Sequence, residues 1–273
     1  MGTITSIMAA TASTHPRLIY SCYAHRTREN ESFVAEHVMT HVLAGAMTFR
    51  TSGAPMVCEE GDTVLIKRNQ LTKVMKRPPE NGEFRSISIF FDQDTLRNFS
   101  MEYNTTAGQP YEGTSIVKLP TDTLTNTYMA SIVPYLHAEG INTDMLAGLK
   151  AKEAILLLLR LDPQLKNLLF DFSEPGKIDL EAYMNKHFNF NVEMKRFAYL
   201  TGRSLATFKR DFEKIFHTSP NRWLQQKRLN EAYYLIREKG KKPSEVYLEV
   251  GFEDFSHFSY AFKKAFGTPP SLV

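Results

Sequence analysis

A chain of 273 residues that is 42% hydrophobic and 23% charged is long enough for about two domains with their own cores, and its composition excludes a disordered or fibrous protein. The longest apolar run, AILLLLRL from Ala154 to Leu161, is broken by Arg160 and is far short of the ~20 residues that a membrane span needs. The net charge of +3 is unevenly spread: residues 1–173 carry 16 basic and 18 acidic side chains and residues 174–273 carry 17 and 12, so the basic hundred residues at the C-terminal end point to a polyanionic partner.

Residues 1–16, MGTITSIMAATASTHP, have no basic lead before an apolar stretch, unlike a secretory signal, and are expected to form a flexible tail. Only Cys22 and Cys58 occur, too few for a disulfide framework and in keeping with a cytoplasmic chain. Residues 17–120 read as short strands rich in Val, Ile, Phe and Thr. HVMTHVLAGAMTFRTSG suggests two strands about a turn at Ala44 and Gly45, EEGDTVLIKRN a Gly-Asp turn and a strand, and FRSISIFF another strand, which together suggest a β-barrel or sandwich. Over 121–139 and 143–170 the spacing turns helical, with Leu146, Leu149, Ile155, Leu158 and Leu159 along one stretch. Such leucines form either a core or one half of a dimer seam, and residues 121–172 are expected to be a helical linker that dimerises the protein. SEPGK at 173–177 is a turn-forming break, and 174–273 is helix and turn throughout.

Within that last segment one unit occurs twice. Phe208, Phe212 and Phe216 recur as Phe258, Phe262 and Phe266 at a constant offset of 50, as do Lys214 and Lys264, Thr218 and Thr268, and Pro220 and Pro270. In VEMKRFAYLTGRS a short helix with Phe197, Ala198 and Leu200 inward leads through Thr201 and Gly202 to the cap Ser204. In PSEVYLEVGFED, Val246 and Val250 lead through Gly251 to the cap Asp254. Each is the pattern of a helix-turn-helix, over about 191–212 and 241–264. The phenylalanines anchor each second helix, which leaves Leu205, Ala206, Lys209 and Arg210 outward in the first unit and Ser256, His257, Ser259 and Tyr260 in the second. Such faces suit the major groove of double-stranded DNA, with Arg210 as the strongest reader because a guanidinium paired with guanine O6 and N7 discriminates by about 1–3 kcal/mol. Arg203, Ser204, Arg222, Lys263 and Lys264, at helix ends and turns, are expected at phosphates. A helical protein-interaction module stays open as the other reading of the same stripe.

At these residues the chain resembles the AraC/XylS family of bacterial transcriptional regulators. The carrying text is FAYLTGRSLATFKRDFEKIFHTSPNRWLQQKRLNEAYYLI followed by PSEVYLEVGFEDFSHFSYAFKKAFGTPPS, and the resemblance covers about 174–273. It implies two helix-turn-helix subdomains joined by a long helix over Pro220 to Lys239. Helices at about 204–216 and 254–266 would enter successive major grooves on one DNA face, roughly 34 Å apart. The same resemblance gives base-facing roles to Leu205, Ala206, Lys209, Arg210, Ser256, His257 and Tyr260, a structural role to Arg228 and an aromatic core position to Trp223. Two residues depart from the pattern: Tyr247 stands where the second unit usually has a small residue, and Tyr260 replaces a common arginine. The N-terminal half is similar to the cupin-like sensor domain of such regulators, which often holds a small effector, and KRNQLTKVMKRP also resembles type III secretion regulators that answer to a partner protein.

An α+β, two-domain protein is therefore expected: a cupin-like β-barrel or sandwich, a helical linker and an all-α double helix-turn-helix. His37 and His41 are four residues apart, too far along a strand for a chelating pair, NQLTKV supplies no later histidine, and His25, His37 and His41 read as packing or surface residues. No phosphate-cradling loop, nucleophile elbow or paired carboxylate occurs, so neither enzyme activity nor a metal or other cofactor is expected. The implied partners are double-stranded DNA, RNA polymerase, a small-molecule or protein effector, and a second copy of the chain, with no membrane, and activation rather than repression as the family's commoner habit. The rival reading is a cupin enzyme or small-molecule carrier with a helical interaction module.

Overall fold

The computed structural model describes residues 17–25, 27, 30–51, 54–137 and 143–273; the tail expected over 1–16, and residues 138–139 of the first helical stretch, lie outside them. Among the described residues, nine strands form two antiparallel sheets. β1 (Arg17–Tyr23), β8 (Phe84–Phe91), β3 (His37–Ala44), β6 (Thr63–Ile66) and β9 (Ile116–Lys118) lie side by side in that order in one sheet. β2 (Asn30–Val34), β7 (Gln70–Arg77), β4 (Ala46–Arg50) and β5 (Met56–Glu59) make the other. The sheets face each other as a sandwich and do not close into one barrel. Val38, Val42, Met47, Phe49, Cys58, Val64 and Phe84, all buried, fill the space between them.

Strand alternation sorts the side chains into layers. On β3, Val38 and Val42 point into the sandwich while Met39 joins Ile87, Ile89 and Phe91 of β8 on the opposite face, against helices. The five-stranded sheet is thus covered on both sides, and FRSISIFF supplies both: Phe84 and Phe90 turn into the sandwich with Ser86 and Ser88 between them, while Ile87, Ile89 and Phe91 turn to the helices. The turn at Gly45 has φ +82°, and a Cβ there would lie 2.4 Å from the Arg77 carbonyl oxygen, so only glycine fits.

The helical layer comprises α1 (Gln93–Glu102), α2 (Thr123–Ile132), α3 (Thr143–Leu161) and α4 (Lys166–Leu169). The stretch expected as one helix over 143–170 is broken at Pro163, where Asp162 caps a short 3-10 turn by accepting the Gln164 amide. Ala151, Ala154, Ile155 and Leu158 join the core beneath the sheet, and Ala147 is also buried. Leu149, expected among them, is instead 67% exposed, because it falls on the side of α3 turned away from the sheet.

The remaining helices are α5 (Leu180–His187), α6 (Met194–Leu200), α7 (Leu205–Phe216), α8 (Pro220–Arg237), α9 (Pro243–Glu249) and α10 (Phe255–Phe266). They enclose two cores. One gathers Phe190, Phe197, Phe208, Phe212 and Leu224; the other gathers Leu229, Ile236, Val246, Phe258 and Phe262, so α8 contributes its first half to one and its second half to the other. Extended chain between α4 and α5 is strapped down on both sides. Arg68, 6% exposed, donates to the carbonyls of Asp171 (3.1 Å) and Ser173 (2.6 Å), and Tyr199 donates to Glu174 at 2.6 Å.

His37, wholly buried at the start of β3, accepts the Arg68 amide on Nδ1 at 3.3 Å. Loss of solvent, with the Arg68 and Lys67 charges adding to it, pushes its pKa down to about 3. The unfolded chain takes up this proton near pH 6.5 and the folded chain does not, so stability is unaffected above pH 6.5 and falls as the pH drops toward 3, by at most about 1.4 kcal/mol per pH unit. Between pH 7 and pH 5 this group should cost about 2 kcal/mol in chemical denaturation, and His37→Asn should flatten that decline. An unchanged slope in the variant would count against the buried neutral ring. His41, also buried, bonds Thr63 Oγ1 through Nδ1 at 2.8 Å, and among the described residues no group of three or more His, Cys, Asp or Glu is placed to hold a metal ion.

Candidate nucleic-acid interface

Each helix-turn-helix is built from a reversed helix end and a fresh cap. In the first unit α6 ends with Gly202 at φ +65°, whose amide donates to Tyr199 O (2.9 Å) while the Arg203 amide reaches Ala198 O (2.9 Å). In the second unit α9 ends the same way on Gly251 at φ +96°, with Gly251 N to Leu248 O (3.2 Å) and Phe252 N to Tyr247 O (2.8 Å). Ser204 then caps α7 by accepting the Thr207 amide at 3.2 Å, and Asp254 caps α10 by accepting the His257 amide at 2.6 Å.

The two turns differ in length by one residue. Two positions separate Gly202 from its cap and three separate Gly251 from Asp254, so the constant offset of 50 along α7 and α10 becomes 49 along α6 and α9. Tyr247 thereby occupies the place of Ala198. Its ring is accommodated edge-on against Phe255, with centroids 5.4 Å apart at 71°.

Behind α7 and α10, Phe208, Phe212, Phe258 and Phe262 are wholly buried. Phe255 begins α10 on the turn side, ahead of that strip, and is 40% exposed. On the opposite faces Leu205, Ala206, Lys209, Arg210, Ser256, His257 and Tyr260 are all exposed, and Ser259 is half-buried. Arg210 has a side chain 66% exposed, with Asp211 at 3.7 Å.

The residues expected at phosphates divide. Arg222, Lys263 and Lys264 are exposed, and Ser204 is exposed with its hydroxyl spent on the α7 cap. Arg203 is a correction: its side chain is only 7% exposed and its guanidinium is turned inward to Asp211 (3.1 Å), Ile178 O (3.0 Å) and Thr201 O (2.7 Å), where it ties the linker to the first turn. It also holds the Asp211 carboxyl below the usual carboxylate range.

Arg228 on α8 joins the two units. Nε donates to Phe188 O (2.8 Å) and Nη2 to Phe190 O (2.8 Å), both in the loop between α5 and α6, while Nη1 donates to Gly251 O (3.0 Å) in the turn of the second unit. Trp223 sits at the edge of the first core, 4.6 Å from Phe216 and 5.6 Å from Phe212 between ring centroids. The sequence pattern assigns Arg228 a structural role without its partners, and it gives no sign of Lys73, on β7, which touches the second unit.

Two protein-family models match the chain: the ExsA N-terminal regulatory domain over residues 37–169 and the Helix-turn-helix domain over residues 197–273. Among curated proteins, the chain is 30% identical over 130 residues to the HTH-type transcriptional regulator ExsA of Pseudomonas aeruginosa, a match covering 46% of each chain. It is 26% identical over 132 residues to the virulence regulon transcriptional activator VirF of Yersinia enterocolitica, covering 43% of this chain and 48% of that one. The chain spans about half the length of the curated relatives it matches. Among solved structures it is similar to the apo form of a single-residue variant of ToxT from Vibrio cholerae, with a TM-score of 0.48 and 10% identity over 95% of this chain and 97% of that one. With two capped helix-turn-helix units behind a stretch that matches the ExsA N-terminal regulatory domain, the chain is similar to transcriptional regulators such as ExsA and VirF.

Proposed function

We propose that this protein is a sequence-specific DNA-binding transcriptional activator that lays α7 and α10 into successive major grooves of one operator. The observation that carries this reading is the pairing of faces: all seven expected base-facing side chains are exposed on helices whose opposite faces are sealed by Phe208, Phe212, Phe258 and Phe262. Arg210 and Lys209 read bases in the first groove, Ser256, His257 and Tyr260 in the second, and Arg222, Lys263 and Lys264 meet phosphates. RNA polymerase is the partner recruited at the promoter. Residues 17–120 serve as the regulatory domain, 121–172 as the dimerising region and 174–273 as the reader, in a cytoplasmic regulator that is not an enzyme. Among the described residues no helix is long and apolar enough to cross a membrane.

The sandwich interior favours a protein over a small molecule as the effector, because Val42, Phe49, Cys58, Val64 and Phe84 occupy it with no more than 2% exposure each. The test is capture of genomic fragments by the purified full chain, followed by transcription from the captured promoters with purified RNA polymerase. Enrichment of a few promoter fragments and a rise in their transcripts are expected; no enrichment at low ionic strength would refute the reading.

Met145, Leu149 and Leu156 lie on the solvent side of α3 at 71%, 67% and 50% exposure, and their spacing of four and seven residues is that of a seam. A homodimer through this stripe is expected. Leu149→Glu should convert it to a monomer in sedimentation velocity without loss of helical signal, whereas an unchanged sedimentation coefficient would place the contact elsewhere.

A further inference from the structure

The N-terminal sandwich does not merely precede the reader; one of its strands is built into it. Along β7, Val74 turns into the sandwich, and Leu71 and Lys73 turn to the other side, onto the helical domain. Leu71 enters the first helical core together with Phe33 of β2. The Phe33 ring meets Tyr199 edge-on at 6.0 Å, and the Arg196 guanidinium lies 4.5 Å from its centroid.

Lys73 goes further. The residue is 3% exposed, and its ammonium donates to Leu248 O at 3.1 Å and Glu249 O at 3.2 Å. Those are the last two carbonyls of α9, the negative end of the first helix of the second unit, where a cation is favoured. The same ammonium is 5.7 Å from the Phe190 ring centroid, and Phe190 gives its carbonyl to Arg228. Arg228 in turn holds the carbonyl of Gly251, two residues beyond Glu249. Lys73, Phe190, Arg228 and residues 248–251 therefore form one node that joins the sandwich, the first unit and the second unit. A buried ammonium is a costly adhesive and apolar side chains would serve better for adhesion alone, but its directional bonds fix one arrangement. The recognition faces remain exposed while this contact is made, so it masks none of them.

We propose that Lys73 is a positioning residue for DNA recognition: through it the N-terminal sandwich sets the orientation of α9 and α10 relative to α6 and α7, so that both recognition helices meet the duplex already spaced. The proposal rests on the reading of α7 and α10 as DNA-binding helices. It makes the β2–β7 face the route by which an effector on the sandwich loosens or tightens the second unit.

The test compares the full-length protein with Lys73→Met, which keeps the packing on Phe190 and removes the charge, and with Lys73→Gln, which restores a neutral donor. Hydrogen exchange is followed at the amides of Val250, Gly251 and Phe252. Binding is measured to the captured operator and to a fragment that keeps only the half bound by α7. In Lys73→Met those amides should exchange about tenfold faster and operator affinity should fall about tenfold, with the half-site affinity unchanged and Lys73→Gln intermediate. Equal exchange and equal operator affinity in Lys73→Met would overturn the proposal, as would a gain in affinity or an equal loss on both DNA fragments. Failure of the unaltered protein to hold any DNA would refute instead the reading beneath it, and the exchange comparison would still decide whether Lys73 holds the turn.

Discussion

Replacing Arg228 with methionine should destabilise the helical domain by roughly 3–5 kcal/mol and uncouple its two units. The guanidinium serves three carbonyls, two in the loop before α6 and one in the turn after α9, which without it face each other across a part-buried space. Each buried acceptor left without a donor costs about 1–3 kcal/mol, and methionine fills the volume without supplying one. A Cβ on Gly251 would lie 2.6 Å from Asn189 O, so the turn of the second unit packs directly against the loop that Arg228 also holds. Chemical denaturation followed by helical circular dichroism should therefore show a much lower midpoint, and binding to a two-groove operator should fall more than binding to the half contacted by α7. A loss below about 1 kcal/mol would mean that the two units are held together by their apolar cores alone.

Arg210→Glu should abolish specific DNA retention while leaving the fold intact. Arg210 is largely exposed, and the Asp211 carboxylate 3.7 Å from it is already bonded by Arg203, so the folded state owes it little. On DNA, loss of a bidentate pair with guanine costs about 1–3 kcal/mol, and Arg210→Ala should weaken binding by about 5–150-fold and relax the choice of one base. The glutamate adds a like charge against the phosphates and beside Asp211, which should remove the remainder. Fluorescence anisotropy on a labelled operator at two salt concentrations checks this. Equal affinity of the parent and Arg210→Glu proteins would remove α7 from the groove.

The spacing of the phenylalanines carried most of the reader domain, because a helix that must bury Phe208 and Phe212 has no freedom over which face it exposes. Turn closure was less legible. The distances from Gly202 to Ser204 and from Gly251 to Asp254 differ by one residue in the sequence itself, but only the hydrogen bonds closing each turn show that both glycines end their helices in the same way and that α6 and α9 therefore align at an offset of 49. Arg203 looked like a phosphate contact since it precedes a cap, but Asp211, two turns along α7, captures it, a pairing visible only once the helix is laid against the linker. Leu149 fits an apolar helical pattern as well as Leu158 does, and periodicity alone does not say which of two apolar stripes meets the sheet. Lys73 carries no local signal at all. Its partners lie 175 and 176 residues away in sequence, and a lysine on an outward strand position ordinarily faces water.

Whether α7 and α10 lie in neighbouring grooves of one DNA face is the question on which the rest depends. A cleaving probe tethered at Lys209→Cys and, separately, at Tyr260→Cys, each in a Cys22→Ser background to silence the exposed native thiol, measures this on the captured operator. Two cleavage centres about one helical turn apart, roughly 10 base pairs, are expected. Coincident centres, or cleavage from one position only, would contradict it.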